Sequence, residues 1–348
     1  MKKLFSICMC ILLSSALHAG DTVGTSSAVF LKKAVGARAA ALGEAYTAMI
    51  HDPDAYFFNP ASISLQQNPE LSAMYQTGIA DISFGSLIYA HPLGIWGTPA
   101  IGVLYSDAGS IDVNVTGQPR AYKKAQQDTA YTIGYAARFF DMLSIGIGSK
   151  FIDSTLVEDF SDSTAAADAG VLFETPLKGL LAGGSILNMG SGLNYKSEAD
   201  PLPKTYRAGI SYIYSLFTEE ENLYTFLLAG DFFKTLDEDS KSGVGLELTR
   251  NNFALRLGYK IHTDIEGLTA GIGIQIQRYS FDYAFGLVED LDHNHRLSFH
   301  VHFGGLTSNV EFKRKRYQEK KKPVGWKKKD ASDSAPSKKT RTQTLGGN

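Results

Sequence analysis

The stretch Leu268-Thr269-Ala270-Gly271-Ile272-Gly273-Ile274-Gln275-Ile276-Gln277 decides the fold. Leu268, Ala270, Ile272, Ile274 and Ile276 share one parity, and Thr269, Gly271, Gly273, Gln275 and Gln277 share the other. Successive side chains of a strand point to opposite faces, so this segment offers one whole face to an apolar medium. Leu143, Ile145 and Ile147 alternate in the same way with Ser144, Gly146, Gly148 and Lys150. So do Phe253, Leu255, Leu257 and Tyr259 with Ala254, Arg256, Gly258 and Lys260.

Working outward from these three, the pattern recurs in fourteen segments: 70–77, 81–91, 96–106, 127–138, 142–152, 165–174, 179–188, 204–216, 222–234, 242–250, 252–261, 267–277, 280–289 and 294–303. Most have the ~9–11 residues with which a tilted strand crosses a bilayer. The connections at 139–141, 175–178, 218–221, 251 and 277–279 are short, whereas 107–126, 153–164 and 189–203, all after odd-numbered segments, are long. Outer-membrane barrels keep short turns on the periplasmic side and longer loops outside, a rule that a soluble β-sandwich has no reason to follow. The expectation is an all-β transmembrane barrel of about 14 antiparallel strands over 70–304, in the outer membrane of a diderm bacterium, with both termini periplasmic. Aromatics such as Trp96, Tyr206, Tyr214, Phe281 and Phe285 punctuate the apolar faces where interfacial girdles belong.

Bulk properties agree. The 348 residues hold 34 Gly, 17 Tyr and 20 Phe beside only 11 Pro, a chain rich in strand formers and small residues. Lys2 and Lys3, an apolar run from Leu4 to Leu13 and a small-residue site ending at Ala19 read as a signal peptide over 1–19. Both cysteines, Cys8 and Cys10, fall inside it, so the expected mature chain has no thiol. The net charge of -2 hides an asymmetry: thirteen Lys or Arg against four Asp or Glu from Glu311 onward, on an acidic body. The region 305–348 therefore reads as a basic, disordered periplasmic tail that could dock an acidic cell-wall partner, and nucleic acid is excluded for an exported chain.

Between leader and first strand, the expected inner region 20–69 has another character. It contains Gly36-Ala37-Arg38, Gly43-Glu44-Ala45, Asp52 and Asn59-Pro60-Ala61 in a run dominated by small residues. On these motifs the chain resembles the FadL-type outer-membrane superfamily, and most closely its PorV/PorQ branch. It departs at Ser62-Ile63, where Gly-Leu or Gly-Met is common in that branch. The resemblance implies a fourteen-stranded barrel with an N-terminal hatch carrying Gly36, Ala37, Arg38, Gly43, Asp52, Asn59, Pro60 and Ala61. FadL implies uptake of long-chain fatty acids and other hydrophobic molecules through a plugged lumen. PorV and PorQ imply a docking or shuttle component of a type IX-like secretion system, with nothing conducted through the barrel. Asn59 can bond turn backbone and Pro60 fixes the following φ, so the triplet suits a lock near the first strand. Arg38 has Asp168, Glu174, Glu247 and Asp282 as candidate inward carboxylates.

No Gly-x-Ser-x-Gly, Walker A, His-Glu-x-x-His or Cys-x-x-Cys occurs, so no enzyme and no cofactor are expected. The inward phase supplies Arg138, Lys150, Arg207, Glu247, Arg256, Lys260 and Asp282 as lumen-lining candidates. Strand 222–234 is apolar on both faces, and Tyr224, Phe226 and Leu228 are the candidates for a hydrophobic lumen patch. His300 and His302 share the inward phase of Ser298 and are the candidates for a metal. They lack Cys, Asp or Glu at ligand spacing along the chain, and the expectation is none. Carboxylates in 153–168, with Glu158, Asp159 and Asp162 among them, read as a solvated loop. The expected partners are outer-membrane lipid, a hydrophobic small molecule, and a secretion-system or cell-wall partner.

Overall fold

The computed structural model describes residues 26–304, apart from 78–81, 114–120, 158–159, 196–198, 218–222, 263–265 and 289–293. The expected leader over 1–19 and basic tail over 305–348 lie outside the described residues, as do Glu158 and Asp159.

Among the described residues sixteen strands follow one another: β1 (Glu70–Thr77), β2 (Ser83–Ala90), β3 (Thr98–Asp107), β4 (Ser110–Val113), β5 (Ala121–Lys124), β6 (Gln126–Phe139), β7 (Leu143–Leu156), β8 (Phe160–Glu174), β9 (Leu180–Gly190), β10 (Thr205–Phe217), β11 (Leu223–Thr235), β12 (Lys241–Arg250), β13 (Phe253–Ile261), β14 (Glu266–Ile276), β15 (Tyr279–Val288) and β16 (Asn294–His302). Fourteen of them close into one antiparallel barrel, and β4 and β5 form a separate two-stranded ribbon in the β3–β6 connection. The seam is β1 on β16, from Glu70 opposite His302 to Thr77 opposite His295. Closure leaves the sheet without an edge, so the backbone satisfies its own hydrogen bonds, as crossing a bilayer demands. No helix among the described residues is long and apolar enough to cross a membrane.

The alternation read from sequence is the difference between the two faces. Leu255, Leu257 and Tyr259 on β13 are exposed outward, while Ala254, Arg256 and Lys260 between them are buried inward. The belt continues through Ile145 and Ile147, Leu246, Ile272 and Ile276, and Leu297, a surface no water-soluble protein would present but one that hydrocarbon accepts.

Where the sequence suggests a long loop over 153–164, the structure extends β7 to Leu156 and begins β8 at Phe160. Asp153 and Asp162 consequently sit on paired strands, Asp153 opposite Ser163. The long connections that remain, β3–β6 and β9–β10, lie at one end of the barrel, here the loop end. The two- and three-residue turns β6–β7, β12–β13 and β14–β15 lie at the other, the turn end.

Residues 26–69 pack inside the barrel. They contain one short helix, α1 (Ala37–Ala41), and single 3-10 turns at Val29–Lys32, Pro53–Phe57 and Pro60–Leu65. The last two start alike: Asp52 and Asn59 take the N-cap position, their side chains accept from the amides of Asp54 and Ala61, and a proline follows. Such caps satisfy amides that would otherwise be orphaned in a dry interior, and proline there removes a donor that has no partner. The segment runs lengthwise. Ser27 N donates to Pro201 O and Ser26 Oγ to Asp237 Oδ2, both at the loop end, whereas residue 69 leads into β1 at the turn end. The start of β1 and the end of β16 lie together at the turn end and Ser26 lies at the loop end, while the expected termini lie outside the described residues.

Candidate functional site

The barrel wall is carved to receive the inner segment. A Cβ at Gly148 would stand 2.1 Å from Tyr56 Oη, one at Gly170 2.0 Å from Asn59 Oδ1, and one at Gly146 2.3 Å from the Ala61 amide nitrogen. Glycine on the inward phase of β7 and β8 is therefore a fit for this segment. Asn59, fully buried, donates from Nδ2 to Thr47 O at 2.8 Å and Val171 O at 2.9 Å while its Oδ1 caps the following turn. All its polar capacity is spent joining two parts of the segment to β8. Ala37 N is held by Ser298 Oγ of β16 at 2.8 Å, and Gly43 packs on the backbone of β12 and β13.

Charge does the rest. Arg38 forks onto Glu247 of β12, with Nε and Nη2 each 2.8 Å from a carboxylate oxygen, and lies 3.7 Å from Asp52. Glu247 also takes Arg256 Nε at 2.6 Å, and Arg256 passes on to Asp282 of β15. Lys150 pairs with Asp168 and donates to Asn188, and Arg207 pairs with Asp231, whose carboxylate also accepts from the amides of Tyr46 and Thr47. Lys260 holds Glu44 at 2.6 Å. Burial raises the Glu44 carboxyl, but Lys260 and Arg207 outweigh it and leave its pKa below the ordinary value. Of the carboxylates the sequence offered Arg38, the structure selects Glu247; Asp282 is reached through Arg256, Asp168 belongs to Lys150, and Glu174 belongs to Arg138.

Four lumen candidates lie elsewhere. Phe226 and Leu228 face outward, and Tyr224 shares their phase at the strand end, its ring under Arg250. The inward phase of β11 is Leu223, Leu227, Ala229, Asp231 and Phe233, and burial of Asp231 against Arg207 decides it. A strand apolar on both faces has no phase of its own, so the polar contact sets it. Arg138 has the inward parity but lies at the rim of the turn end, paired with Glu174.

Above the segment, toward the loop end, a cavity of about 1120 Å³ remains. Leu31, Val35, Phe57, Phe58, Leu187 and Phe233 supply its apolar wall. Two cations in it form no ion pair among the described residues: Lys33, which rests over the Phe84 ring, and Arg296, whose Nε donates to Gln76. Burial and the nearby Arg296 lower the Lys33 pKa. Sequence reasoning missed both; the signal was there in Arg296, on the inward parity of Ser298 and His300.

No family model matches the sequence, and no curated protein matches it. Solved structures do match in shape. The toluene transporter TodX of P. putida superposes with a TM-score of 0.53 at 10% identity, covering 78% of this chain and 99% of that one. The Ralstonia pickettii toluene transporter TbuX gives 0.52 at 11%, covering 77% and 98%. A Pseudomonas aeruginosa FadL homologue gives 0.50 at 10%, covering 77% and 98%. The fold is that of the FadL-like barrels; identity this low carries the fold alone.

Proposed function

We propose that this chain is an outer-membrane barrel that admits a hydrophobic small molecule from the loop end, with the inner segment serving as its hatch. The observation that carries the reading is the cavity of about 1120 Å³ toward the loop end, walled in part by Leu31, Val35, Phe57 and Phe58 of the inner segment. It is large enough for a small organic ligand, and it combines apolar side chains with many polar and charged ones. Lys33 and Arg296 favour molecules that carry an anionic group, since a ligand carboxylate would supply the charge those two cations lack. Two solved barrels of this shape are described as toluene transporters, which supports hydrophobic cargo as the class.

The test is mass spectrometry of small molecules retained by the full chain after mild detergent extraction, followed by binding of the retained class to the Arg296→Gln variant. Retention of hydrophobic molecules, with affinity reduced in the variant, supports uptake. An empty lumen with a co-purifying protein partner would replace it by the docking role that the PorV/PorQ motifs imply.

A further inference from the structure

Toward the turn end the segment brings two carboxylates, Asp52 and Asp54, against His300 of β16, and one ligand atom from each lies within 4.8 Å of the others. All three residues are buried. His300 is oriented from behind: its Nδ1 is 3.1 Å from Glu70 Oε1, which leaves Nε2 facing the lumen. Facing Nε2 are Asp282 Oδ2 at 3.6 Å and Asp54 Oδ2 at 4.0 Å. Both are too far for a hydrogen bond. They are close to the roughly 3.3 Å that separates two ligands of one tetrahedral ion with bonds of about 2.0–2.1 Å. Asp54 is only 1% exposed and its Oδ1 makes no well-formed hydrogen bond; the buried Ser72 hydroxyl lies beside the same carboxylate. An unpartnered carboxylate oxygen in a dry interior is costly unless something positive completes it.

Charge points the same way. In the connected network, five carboxylates, Asp52, Asp54, Glu70, Glu247 and Asp282, face two guanidiniums, Arg38 and Arg256. The imidazoles of His300 and His302 stand beside the same carboxylates. Nothing along the sequence suggested ligands for His300; they come from 246 and 248 residues earlier in the chain.

We propose that Asp54, His300 and Asp52 bind a divalent cation of the zinc type that staples the inner segment to β16. One imidazole among carboxylates suits a borderline metal; calcium and magnesium ask for more oxygens. Glu70 is the residue that orients His300, not a ligand.

The experiment uses the full chain in detergent, stripped with chelator and titrated calorimetrically with Zn²⁺, Ca²⁺ and Mg²⁺. The expected result is one saturable Zn²⁺ site, weakened at least tenfold in His300→Gln and Asp54→Asn, unchanged in His295→Gln, and not matched by Ca²⁺ or Mg²⁺. Tryptic cleavage of the inner segment should slow about hundredfold when free Zn²⁺ is 100 times its Kd. Zinc-edge X-ray absorption on the loaded wild-type chain needs no variant, and one imidazole among oxygens is expected. Absence of a saturable site in the folded chain, unchanged affinity in both folded variants, or an edge spectrum showing no imidazole or several would overturn the assignment.

Discussion

Replacing Glu247 by alanine removes the one carboxylate shared by Arg38 of the inner segment and Arg256 of the wall. Three hydrogen bonds disappear, two from Arg38 at 2.8 Å and one from Arg256 at 2.6 Å. Two guanidiniums are then left facing each other. Breaking a buried ion pair by deleting one partner costs about 3–5 kcal/mol, mostly because the survivor stays charged and unpaired. Two features place this case at the low end: Arg256 keeps Asp282, and the Arg38 side chain is 19% exposed with Asp52 still 3.7 Å away. At about 3 kcal/mol the population with the segment released rises about 150-fold. Lys32, Lys33 and Arg38 are tryptic sites within that segment, and when release and return are fast relative to cleavage, the rate follows the released population. Trypsin should therefore cut the Glu247→Ala chain about a hundredfold faster, while the barrel itself keeps its heat-modifiable migration on gels. The double variant Arg38→Met/Glu247→Gln should recover much of the loss, because Arg256 retains Asp282. A rise in cleavage below threefold with the barrel intact would refute the claim that this ion pair holds the segment.

Gly148→Ala puts a methyl 2.1 Å from Tyr56 Oη, breaks its hydrogen bond to Thr132, and should loosen the segment by about 1–3 kcal/mol in the same cleavage assay. Gly230→Ala, whose nearest neighbour is Gly243 O at 3.9 Å, should change it by less than about 0.5 kcal/mol. Leu257→Arg, on the outer face, should cost about 2–4 kcal/mol of folding free energy in liposomes if that face meets hydrocarbon, and equilibrium unfolding in lipid measures it. Acid should release the loop-end anchor. Burial raises the Asp237 carboxyl, but the hydrogen bonds from Lys32 and Ser26 outweigh it and hold its pKa below the ordinary value near 3.9. A depressed carboxylate stabilises above its unfolded pKa and loses that contribution as pH falls through the folded one, so cleavage at Lys32 by an acid-tolerant protease should accelerate below about pH 4. Asp237→Asn should diminish that acid step, leaving the part contributed by Glu238, which also pairs with Lys32.

The strands were legible because lipid on one side and packed segment on the other impose a period of two, and each of the fourteen expected segments has its counterpart among β1–β3 and β6–β16. Legibility fails where the two environments stop differing. The outward positions at the loop end of β8 begin with Ser161 and Ser163, not apolar enough to mark a strand, so the sequence reads as a loop up to residue 164. On β11 both parities are largely apolar, and Asp231, the one charged residue of its face, betrays which one turns inward. The lumen residues Lys150, Arg207, Glu247, Arg256, Lys260 and Asp282 follow from parity and are buried. Their partners do not follow from it, because the inner segment meets strands 100 to 260 residues away and no local spacing encodes that encounter.

The lengthwise course of residues 26–69 bears on how the molecule is assembled. The segment touches both strands of the seam, since Ala37 bonds Ser298 on β16 and β1 continues directly from residue 69. Its contacts with β8, β12, β13 and β16 form only once strands made much later are in place, so much of its ordering waits on long loop closures. The β1–β16 seam joins the earliest strand to the last, and its zipping encloses a peptide that must already lie along the axis. A seam that closed first would leave the peptide to thread a finished cylinder. Assembly order, as much as sequence, therefore decides whether the chain reaches this arrangement.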